Sequence, residues 1–455
     1  MLDKTDINTK NVTRQIVDEL VGRRFDEFPE EIVRLAKHCI LDCVGVTLAG
    51  ASDSGPSALA EELLEAGGNP EATIFGRAMR LPVLSAALIN GTAAHALDYD
   101  DVNLPMSAHP SVVILPALLA IAEKNKASGR DVVESFLAGY EAAGRVGKLV
   151  APSHYISGFH GTATIGTFAA TAACAHLLKL SADQTENAFG IAATQSAGIR
   201  SMFGTDCKPL HAGKACHNGV LAVLLARRGF TSATGVLECA NGFAATHSTD
   251  FRPEIALSEP EGGYTLKQNL FKYHAACYMT HSVADGIADL MSGHDLSQED
   301  ILAVDVLLEP NLDSVCNIQD PKSGLEMKFS ARAVAAMTLI GVDTAKLSNY
   351  DARVAADSEF ISALSKVTVN LGAPEPNTRS QVVITLTNGQ KLHKTRDSGV
   401  PDQDLDNQER RLVKKFLSLT EDIVGPKNED LVEAILGLEQ HDKLDNVLIR
   451  MTPAA

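Results

Sequence analysis

A succession of long, apolar segments with helical spacing fills the first 268 residues, and it limits the fold more than any other feature. Apolar periodicity and capping residues predict helices over 10–24, 29–50, 56–66, 82–98, 109–124, 129–147, 160–178, 183–200, 211–228 and 231–237. These segments are rich in alanine, leucine and small residues, and strand-like alternation is almost missing. The pattern is typical of a helical bundle whose central helices are apolar on all sides.

The pattern changes after residue 268, where strand-like alternation begins. We predict strands over 304–310, 366–371 and 379–395, helices near 281–292 and 327–341, and two short helices within 344–365. A Thr-Asn-Gly run at 387–389 is a hairpin-turn signal. Residues 407–439 are helical and charged, with apolar positions spaced to pack against the bundle. We therefore expect a mostly α protein. A large all-helical domain of residues 1–268 and 407–455 would carry an inserted, smaller α+β domain of residues 269–406 with an antiparallel sheet.

The charge balance excludes several classes of partner. The net charge is −17, which argues against nucleic acid and against an anionic membrane surface. No apolar run is long enough and sufficiently free of Pro, Gly and polar residues to predict a membrane span. The N-terminus contains acidic residues and lacks the apolar core of a signal peptide, so we predict a cytoplasmic protein. A small acidic substrate remains compatible, because a local cationic pocket can lie within an acidic surface.

The cysteines give no strong metal or disulfide signal. The chain has eight cysteines and no C-x-x-C pair. Cys39 and Cys43 lie four residues apart on a predicted helix, a spacing that would suit a metal ion. We favour the simpler interpretation that both are small buried residues of a reducing compartment.

The segment 205–219 gathers four cationic or imidazole side chains between segments that carry almost no charge. Pro209 is expected to hold Lys208 extended, so that a helix starts afterwards and Lys208 and His211 lie at its N-terminus. A helix N-terminus with such residues is suited to a carboxylate. Lys214 and His217 lie further along the helix, where solvent contact alone would explain them.

A second cluster lies at 95–111. Asp98, Asp100 and Asp101 follow an apolar helix, and His109 precedes Pro110 at the start of the next helix. Acids at a helix C-terminus oppose the helix dipole, so one of them is expected to orient an imidazole or to act as a general base. A surface-acid and capping cluster is one alternative. A metal site is another, although these acids lack a matched partner cluster.

Two further segments supply candidates. Tyr155 and His160 precede a helix rich in small residues, where His160 would bind an anion or transfer a proton and Tyr155 would supply a phenolic proton. A capping histidine and a packed tyrosine are the alternative. In segment 272–281, the candidate substrate-binding residues are Lys272, Tyr273, His274 and Cys277. Cys277 with a histidine four residues later would suit a nucleophile, but nothing supplies an oxyanion hole, and structural packing is favoured.

Together these segments resemble the MmgE/PrpD family. The shared pieces are NGTAAHALDYDD followed by HPS, GFH before a small-residue helix, KPLHAGKA, the Lys272–His281 segment, PKSGLEMKFS and the late strand pair with its Asn-Gly turn. The resemblance implies a large helical domain from both chain ends, a smaller α+β domain and a homodimer. It also implies chemistry beside a carboxylate without a metal ion or organic cofactor.

The resemblance carries over to individual residues. Asp98, His109, His160 and Lys208 match residues that line the site of the family's decarboxylases, and Tyr155 with Lys208 resembles the pair proposed for proton transfer in its epimerases. Two positions depart from the decarboxylase pattern: Val102 replaces a threonine, and Cys277 stands where animal decarboxylases have a histidine.

The residues and the resemblance together predict a lyase for a small di- or tricarboxylate. We expect the clustered segments to form one anion-binding site in which the catalytic residues are Asp98, His109, Tyr155, His160 and Lys208, with His211 binding substrate. Dehydration of 2-methylcitrate is the leading hypothesis. Decarboxylation of cis-aconitate, epimerisation of iminodisuccinate and a non-catalytic carboxylate-binding protein are the alternatives.

Overall fold

The chain divides into two units, which are described separately. The computed structural model describes residues 10–372 and 375–453. The first unit comprises Met1–Phe271 and Asp404–Ala455, and the second comprises Lys272–Gln403. Residues 1–9, in which no targeting signal was predicted, lie outside the described residues.

The N-terminal part of the first unit is almost entirely helical. Its helices are α1 Val12–Gly22, α2 Glu30–Gly50, α3 Ser54–Ala66, α4 Val83–Ala96, α5 Ser111–Asn125, α6 Gly129–Val150, α7 Ser153–Ile156, α8 Gly161–Leu177, α9 Ala182–Ala193, α10 Cys207–Arg227, α11 Phe243–His247 and α12 Pro253–Leu257. A short antiparallel pair, β1 Ala72–Ile74 and β2 Met79–Leu81, interrupts the helices. Among the described residues, no helix combines the length and apolarity needed to cross a bilayer.

Small residues let the central helices α4, α8 and α10 approach closely. A Cβ atom added to Gly213 on α10 would lie 2.1 Å from the Thr92 Oγ1 atom and 2.3 Å from the Leu88 carbonyl oxygen of α4. A Cβ atom on Gly219 would lie 2.6 Å from the Ala170 Cβ atom of α8. The abundance of alanine and glycine is therefore a packing requirement, because these positions have no room for another atom.

Gly213→Ala is expected to lower the free energy of unfolding by about 2–3 kcal/mol, because the Leu88 carbonyl is backbone and the whole of α4 must move to relieve the clash. Gly22→Ala is the matched control, since a Cβ atom there has no neighbour within 4 Å. Urea unfolding followed by circular dichroism measures both variants. Equal stabilities for the two would contradict the close-packing argument.

Two helix boundaries and one whole helix predicted from the sequence were wrong. The helix predicted to end at residue 200 ends at Ala193, because residues 198–200 pair with 158–160 through the His160 N–H to Gly198 carbonyl and Arg200 N–H to Gly158 carbonyl hydrogen bonds. No helix covers 231–237 in the described residues, where the Ser232 N–H donates to Asn187 Oδ1. Helix α10 begins at Cys207, before Pro209, because first-turn N–H groups have no intrahelical partner for a proline to remove.

The second unit is an α+β arrangement. Its elements are α13 His281–Gly293, β3 Ile301–Leu308, α14 Asp313–Cys316, α15 Gly324–Lys328, α16 Ala331–Leu339, α17 Ala352–Ala355, α18 Ser358–Ser365, β4 Val367–Leu371, β5 Arg379–Leu386 and β6 Lys391–Asp397. The strand order is β4-β3-β5-β6. The core contains Val304, Ile384, Ile287 and Ala335, which come from the sheet and from α13 and α16.

The predicted fold class, helical with a smaller α+β part, is confirmed, with one correction to the sheet. Strands β5 and β6 form the hairpin predicted by the Asn-Gly turn, and Gly389 there has a φ of 87°. Strand β4 pairs with β3 in parallel, so the sheet is mixed and not purely antiparallel. The parallel pairing follows from the long connection through α14–α18, since parallel strands need a crossover.

The C-terminal segment returns to the first unit. Its helices are α19 Leu405–Val424, α20 Asn428–Leu436 and α21 Asp445–Leu448. Helix α19 buries Gln408, Leu412, Lys415, Phe416 and Leu419, which recur at helical spacing, and packs this face on α2. A buried lysine in the middle of that face is unusual and contacts the candidate site described below.

Candidate active site

The turn after α4 separates three neighbouring acids. Asp98 has a φ of 49°, the left-handed conformation, which aspartate tolerates better than most residues. The side chain of Asp98 is 37% exposed, whereas Asp100 and Asp101 are completely buried. The three acids therefore occupy different environments, and only Asp98 has appreciable access to solvent.

One oxygen of Asp100 accepts a hydrogen bond from one imidazole and lies within ion-pair distance of a second. The Asp100 Oδ2 atom lies 2.9 Å from His95 Nδ1 and 3.0 Å from His109 Nδ1. Although burial acts to raise it, the charges of His95 and His109 hold the pKa of Asp100 well below its usual range. Burial lowers the pKa of His95 to about 4, so at neutral pH its single N–H lies on Nδ1 and donates to the carboxylate.

His109 is partly accessible to solvent, unlike His95. Its side chain is 15% exposed, and its backbone N–H donates to Thr162 Oγ1 at 3.1 Å. A carboxylate 3.0 Å from Nδ1 orients the ring and leaves Nε2 available to a ligand. The sequence singled out His109 and a neighbouring acid; the acid in contact with the imidazoles is Asp100, whereas Asp98 contacts a lysine.

Lys208 lies in the first turn of α10 beside Asp98. The Lys208 Nζ atom is 2.7 Å from Asp98 Oδ1, and the lysine side chain is 15% exposed. The pair joins the N-terminus of α10 to the turn after α4, two segments that the sequence analysis expected to meet. A half-buried ammonium group at this point is a strong electrostatic partner for a carboxylate ligand.

His160 and His211 complete the cluster. His160 caps α8, its Nδ1 atom lies 3.1 Å from His211 Nδ1, and its ring stacks on His95 with centroids 5.7 Å apart. Burial, together with the charges of His95 and Lys208, places the pKa of His160 well below its ordinary value. Burial and Lys208 also lower the pKa of His211. Both imidazoles are therefore neutral at pH 7 when the site holds no anion.

Sequence reasoning missed two residues beside this cluster, Arg200 and Phe203. The ring of Phe203 meets His160 edge-on at 4.9 Å and lies 5.4 Å from Lys208 Nζ. The Arg200 guanidinium lies 3.9 Å from the centroid of the Tyr155 ring and donates to the Tyr155 carbonyl oxygen. Tyr155 is thus connected to the imidazoles through Arg200 and Phe203. No periodicity marks these loop residues, so only the fold reveals them.

The candidates from segment 272–281 belong to the second unit. The His274 Nδ1 atom lies 2.6 Å from Thr344 Oγ1, and its Nε2 atom lies 3.3 Å from Asp285 Oδ1. Lys272 is buried, Tyr273 is half-buried, and Cys277 packs against the core of this unit while its N–H donates to the Lys328 carbonyl oxygen. A substrate-binding role for these four residues stays a prediction.

His95, Asp98, Asp100 and His109 place one donor atom each within 4.8 Å of one another, a spacing that would admit a cation. Lys208 pairs with Asp98, His95 donates to Asp100, and His109 lies within ion-pair distance of the same carboxylate. That the protein uses no metal ion stays a prediction.

We expect acid to destabilise the first unit between pH 6.5 and 4. Unfolded imidazoles titrate near pH 6.5, whereas burial lowers the pKa of His95 and His154 to about 4, so the unfolded state binds protons first and stability falls as pH falls. Burial and Asp42 raise the pKa of Asp101 to about 7, which opposes this trend for one group. At pH 5, the free energy of unfolding is lower than at neutral pH by about 2 kcal/mol for each of these two histidines, because the imidazole is protonated in the unfolded state and neutral in the folded state.

Urea unfolding at pH 7.5 and 5.0 measures this loss, and His154→Gln provides the matched variant. His154 contacts the His247 carbonyl oxygen and Thr164 Oγ1, both of which an amide can bond without titrating. The variant is expected to lose about 2 kcal/mol less than the wild type between the two pH values. An identical pH dependence would contradict the assignment of His154 as a buried neutral imidazole.

Two family models and several known proteins are similar to this chain in sequence. The family model described as the MmgE/PrpD N-terminal domain matches residues 14–256, and the one described as the MmgE/PrpD C-terminal domain matches residues 274–440. The chain is similar to the cis-aconitate decarboxylase of Homo sapiens, with 29% identity over 344 residues that cover 73% of this chain and 71% of the relative. The Mus musculus enzyme of the same name is 30% identical over 344 residues, 73% and 70% of the two chains. The cis-aconitate decarboxylase of Aspergillus terreus is 29% identical over 300 residues, which cover 63% of this chain and 61% of the relative.

Proposed function

The chain belongs to the MmgE/PrpD family of enzymes, and from that premise we propose that it is a lyase that acts on a small tricarboxylate or dicarboxylate, with cis-aconitate as the first substrate to test. One observation supports the proposal above the others. The Lys208–Asp98 pair and the Asp100–His109 pair lie in a single cluster, so a cation for a carboxylate and a carboxylate-backed imidazole stand side by side.

The charges of the cluster indicate that a polyanion binds together with an uptake of protons by the imidazoles. Asp98 and Asp100 supply two negative charges for the single ammonium of Lys208, while His160 and His211 are neutral because their pKa values are lowered. A carboxylate placed among these imidazoles favours their charged forms. Substrate binding is therefore coupled to protonation of the site, which offsets the net negative charge of the cluster.

We expect binding of a tricarboxylate at pH 7.5 to take up protons, at most about one per site. Titration calorimetry in two buffers of different ionisation enthalpy measures this number from the difference in apparent binding enthalpy. His211→Asn should reduce the uptake, because the amide can still accept a hydrogen bond from His160 but does not titrate. Binding without any proton uptake, or with proton release, would contradict the proposed role of the imidazoles.

For cis-aconitate the proposed reaction balances with one proton. The carbon–carbon bond to the carboxylate on the methylene carbon breaks and CO2 leaves. The released electron pair forms a new double bond, and the original double bond shifts its electrons to the carbon beside another carboxylate. That carbon accepts a proton, so a trianion and one proton give CO2 and an unsaturated dicarboxylate dianion.

The side chains have distinct roles in this proposal. Lys208, with His160 and His211, stabilises the carboxylate on which negative charge develops, where a preorganised cation is most effective. His109, held by Asp100, delivers the proton and is then reprotonated from solvent. Asp98 holds Lys208 in place. Tyr155, next to Arg200, remains the alternative proton carrier.

Dehydration of 2-methylcitrate is the second candidate, because two positions depart from the decarboxylases. Val102 and Cys277 replace the threonine and the histidine expected of decarboxylases, although the segment around Cys277 is not typical of the dehydratases either. In a dehydration the same imidazole would remove the proton beside a carboxylate, and a hydroxyl group would leave as water. The chemistry of the cluster suits both reactions, because each passes through a carbanion stabilised by a neighbouring carboxylate.

Incubation in deuterated water with cis-aconitate, 2-methylcitrate and iminodisuccinate distinguishes the reactions. CO2 release with one deuterium in the product's new methylene group supports the decarboxylase, and loss of water from 2-methylcitrate supports the dehydratase. Label exchange without net conversion assigns an epimerase. Binding without conversion or exchange of any of the three would contradict the proposal.

A further inference from the structure

A buried ion pair connects the C-terminal segment to α2 behind the candidate active site. The Nζ atom of Lys415 on α19 lies 2.6 Å from Asp42 Oδ1, and the two side chains are 3% and 1% exposed. A charge pair so fully withdrawn from water contributes little net stability in comparison with apolar residues of similar volume. Two aliphatic side chains would therefore stabilise the core equally well, so the ion pair is expected to have a further role.

The same ammonium group binds the turn that carries the catalytic acids. The Lys415 Nζ atom donates to the backbone carbonyl oxygen of Tyr99 at 2.7 Å and lies 3.9 Å from the centroid of the Tyr99 ring. Tyr99 itself is 1% exposed. Lys415 thus contacts both the backbone and the side chain of one residue, through a charge-assisted hydrogen bond and a cation–π contact.

The position of Tyr99 makes this contact relevant to the chemistry. Asp98 before it pairs with Lys208, and Asp100 after it contacts His95 and His109. Asp98 also has a left-handed backbone, with a φ of 49°, a conformation that persists only where its surroundings hold it. A shift of the Tyr99 peptide would move both carboxylates together.

We propose that Lys415 is a positioning residue of the active site: by holding the Tyr99 carbonyl it fixes the turn 98–101 and with it the carboxylates of Asp98 and Asp100. This role rests on the proposed function, because it is measured through turnover. Asp42 orients the ammonium group, and the C-terminal helix α19 is thereby part of the catalytic apparatus as well as of the core. Lys415 itself touches no reacting atom.

Replacing Lys415 alone is not informative, because Asp42 would remain as a buried carboxylate without its cation and the protein would be strongly destabilised. Two neutral double variants avoid this problem. The first, Asp42→Leu with Lys415→Met (the Leu/Met variant), removes the charges and the donor to Tyr99. The second, Asp42→Asn with Lys415→Gln (the Asn/Gln variant), removes the charges but keeps an N–H donor near the Tyr99 carbonyl oxygen.

The Leu/Met variant is expected to fold and to show kcat lowered by about 10–100-fold, because misplacement of the catalytic groups affects the chemical step. The Asn/Gln variant is expected to retain kcat within about threefold of the wild type, a rescue that a purely structural role would not give. If the Leu/Met variant does not fold, Asp42→Asn with Lys415→Met carries the same expectation. Circular dichroism and thermal melting establish folding before kinetics are compared.

The matched control is the pair Lys37–Glu439, which also joins α2 to the C-terminal segment, at 2.8 Å, but does not contact the turn 98–101. Lys37→Met with Glu439→Leu should leave kcat within about twofold of the wild type. A wild-type kcat in the Leu/Met variant would overturn the proposal, and so would an equal loss in the Leu/Met and Asn/Gln variants. Wild-type turnover of the substrate is measured first, so that an absent activity is recognised as a failure of the proposed function and not of this inference.

Discussion

Lys208→Met is expected to lower kcat/KM by about 10³-fold, or about 4 kcal/mol of transition-state stabilisation, while the fold remains intact. The ammonium group lies 2.7 Å from Asp98 and beside a ring of imidazoles that are neutral without an anion. Its removal leaves the cluster with two carboxylates and no fixed cation. The loss should appear in both kcat and KM, because the cation binds the substrate carboxylate and stabilises the charge that develops on it.

The control for this variant is Lys214→Met. Lys214 lies further along the same helix, is exposed and contacts His217. Its replacement removes an equal charge from α10 and should change kcat/KM by less than about threefold. Steady-state kinetics on both variants, with thermal melting to verify the fold, decides the question. A Lys208→Met enzyme with more than about a tenth of the wild-type kcat/KM would contradict the assignment.

Asp100→Asn should lower kcat by about 10³–10⁴-fold, as expected when an acid that orients an imidazole becomes an amide. The Asp100 Oδ2 atom accepts from His95 and lies 3.0 Å from His109 Nδ1. An asparagine with its oxygen in this position would carry no charge, and one with its NH2 group there would set a donor against both Nδ1 atoms and impose the wrong tautomer on His95. In either case the ring of His109 would lose the carboxylate that orients it.

Asp101→Asn is the matched control for Asp100→Asn. Asp101 is the adjacent residue, equally buried, and accepts from the hydroxyl and the backbone N–H of Ser111. Because burial raises the pKa of Asp101 to about 7, its neutral form is already populated at neutral pH, and the amide resembles that form. We expect kcat within about threefold of the wild type. If both variants lost activity equally, the disruption would be structural and the special role of Asp100 would be refuted.

The sequence predicted the large features because they depend on local patterns. Apolar helices with small residues, the Asn-Gly hairpin and the amphipathic C-terminal helix all follow from the spacing of side chains along one segment. The same reasoning failed at the start of α10. A proline disfavours the helical conformation in the residue before it, but the first turn of a helix tolerates proline, and here the helix begins before Pro209.

The candidate site was predictable only as far as chemistry could be read from one segment at a time. His109, His160, Lys208 and His211 were singled out, and the structure brings them together with Asp98 in the first unit. Which acid contacts an imidazole was not predictable, because it depends on the left-handed backbone at Asp98, which rotates Asp100 inward. Arg200 and Phe203 come from a loop whose position is set by pairing with residues 158–160, a long-range contact without any local signature.

The return of the C-terminal segment to the first unit has a consequence for biosynthesis. Asp42 and Lys415 are separated by 373 positions, so at about 5–20 residues per second a ribosome needs roughly 20–75 s to deliver the lysine after the aspartate. Throughout that interval the nascent chain exposes the apolar face of α2 that α19 later covers. The second unit, complete by residue 403, is synthesised before the first can close. We therefore expect a strong dependence on chaperones during translation, and aggregation of any product that terminates before α19.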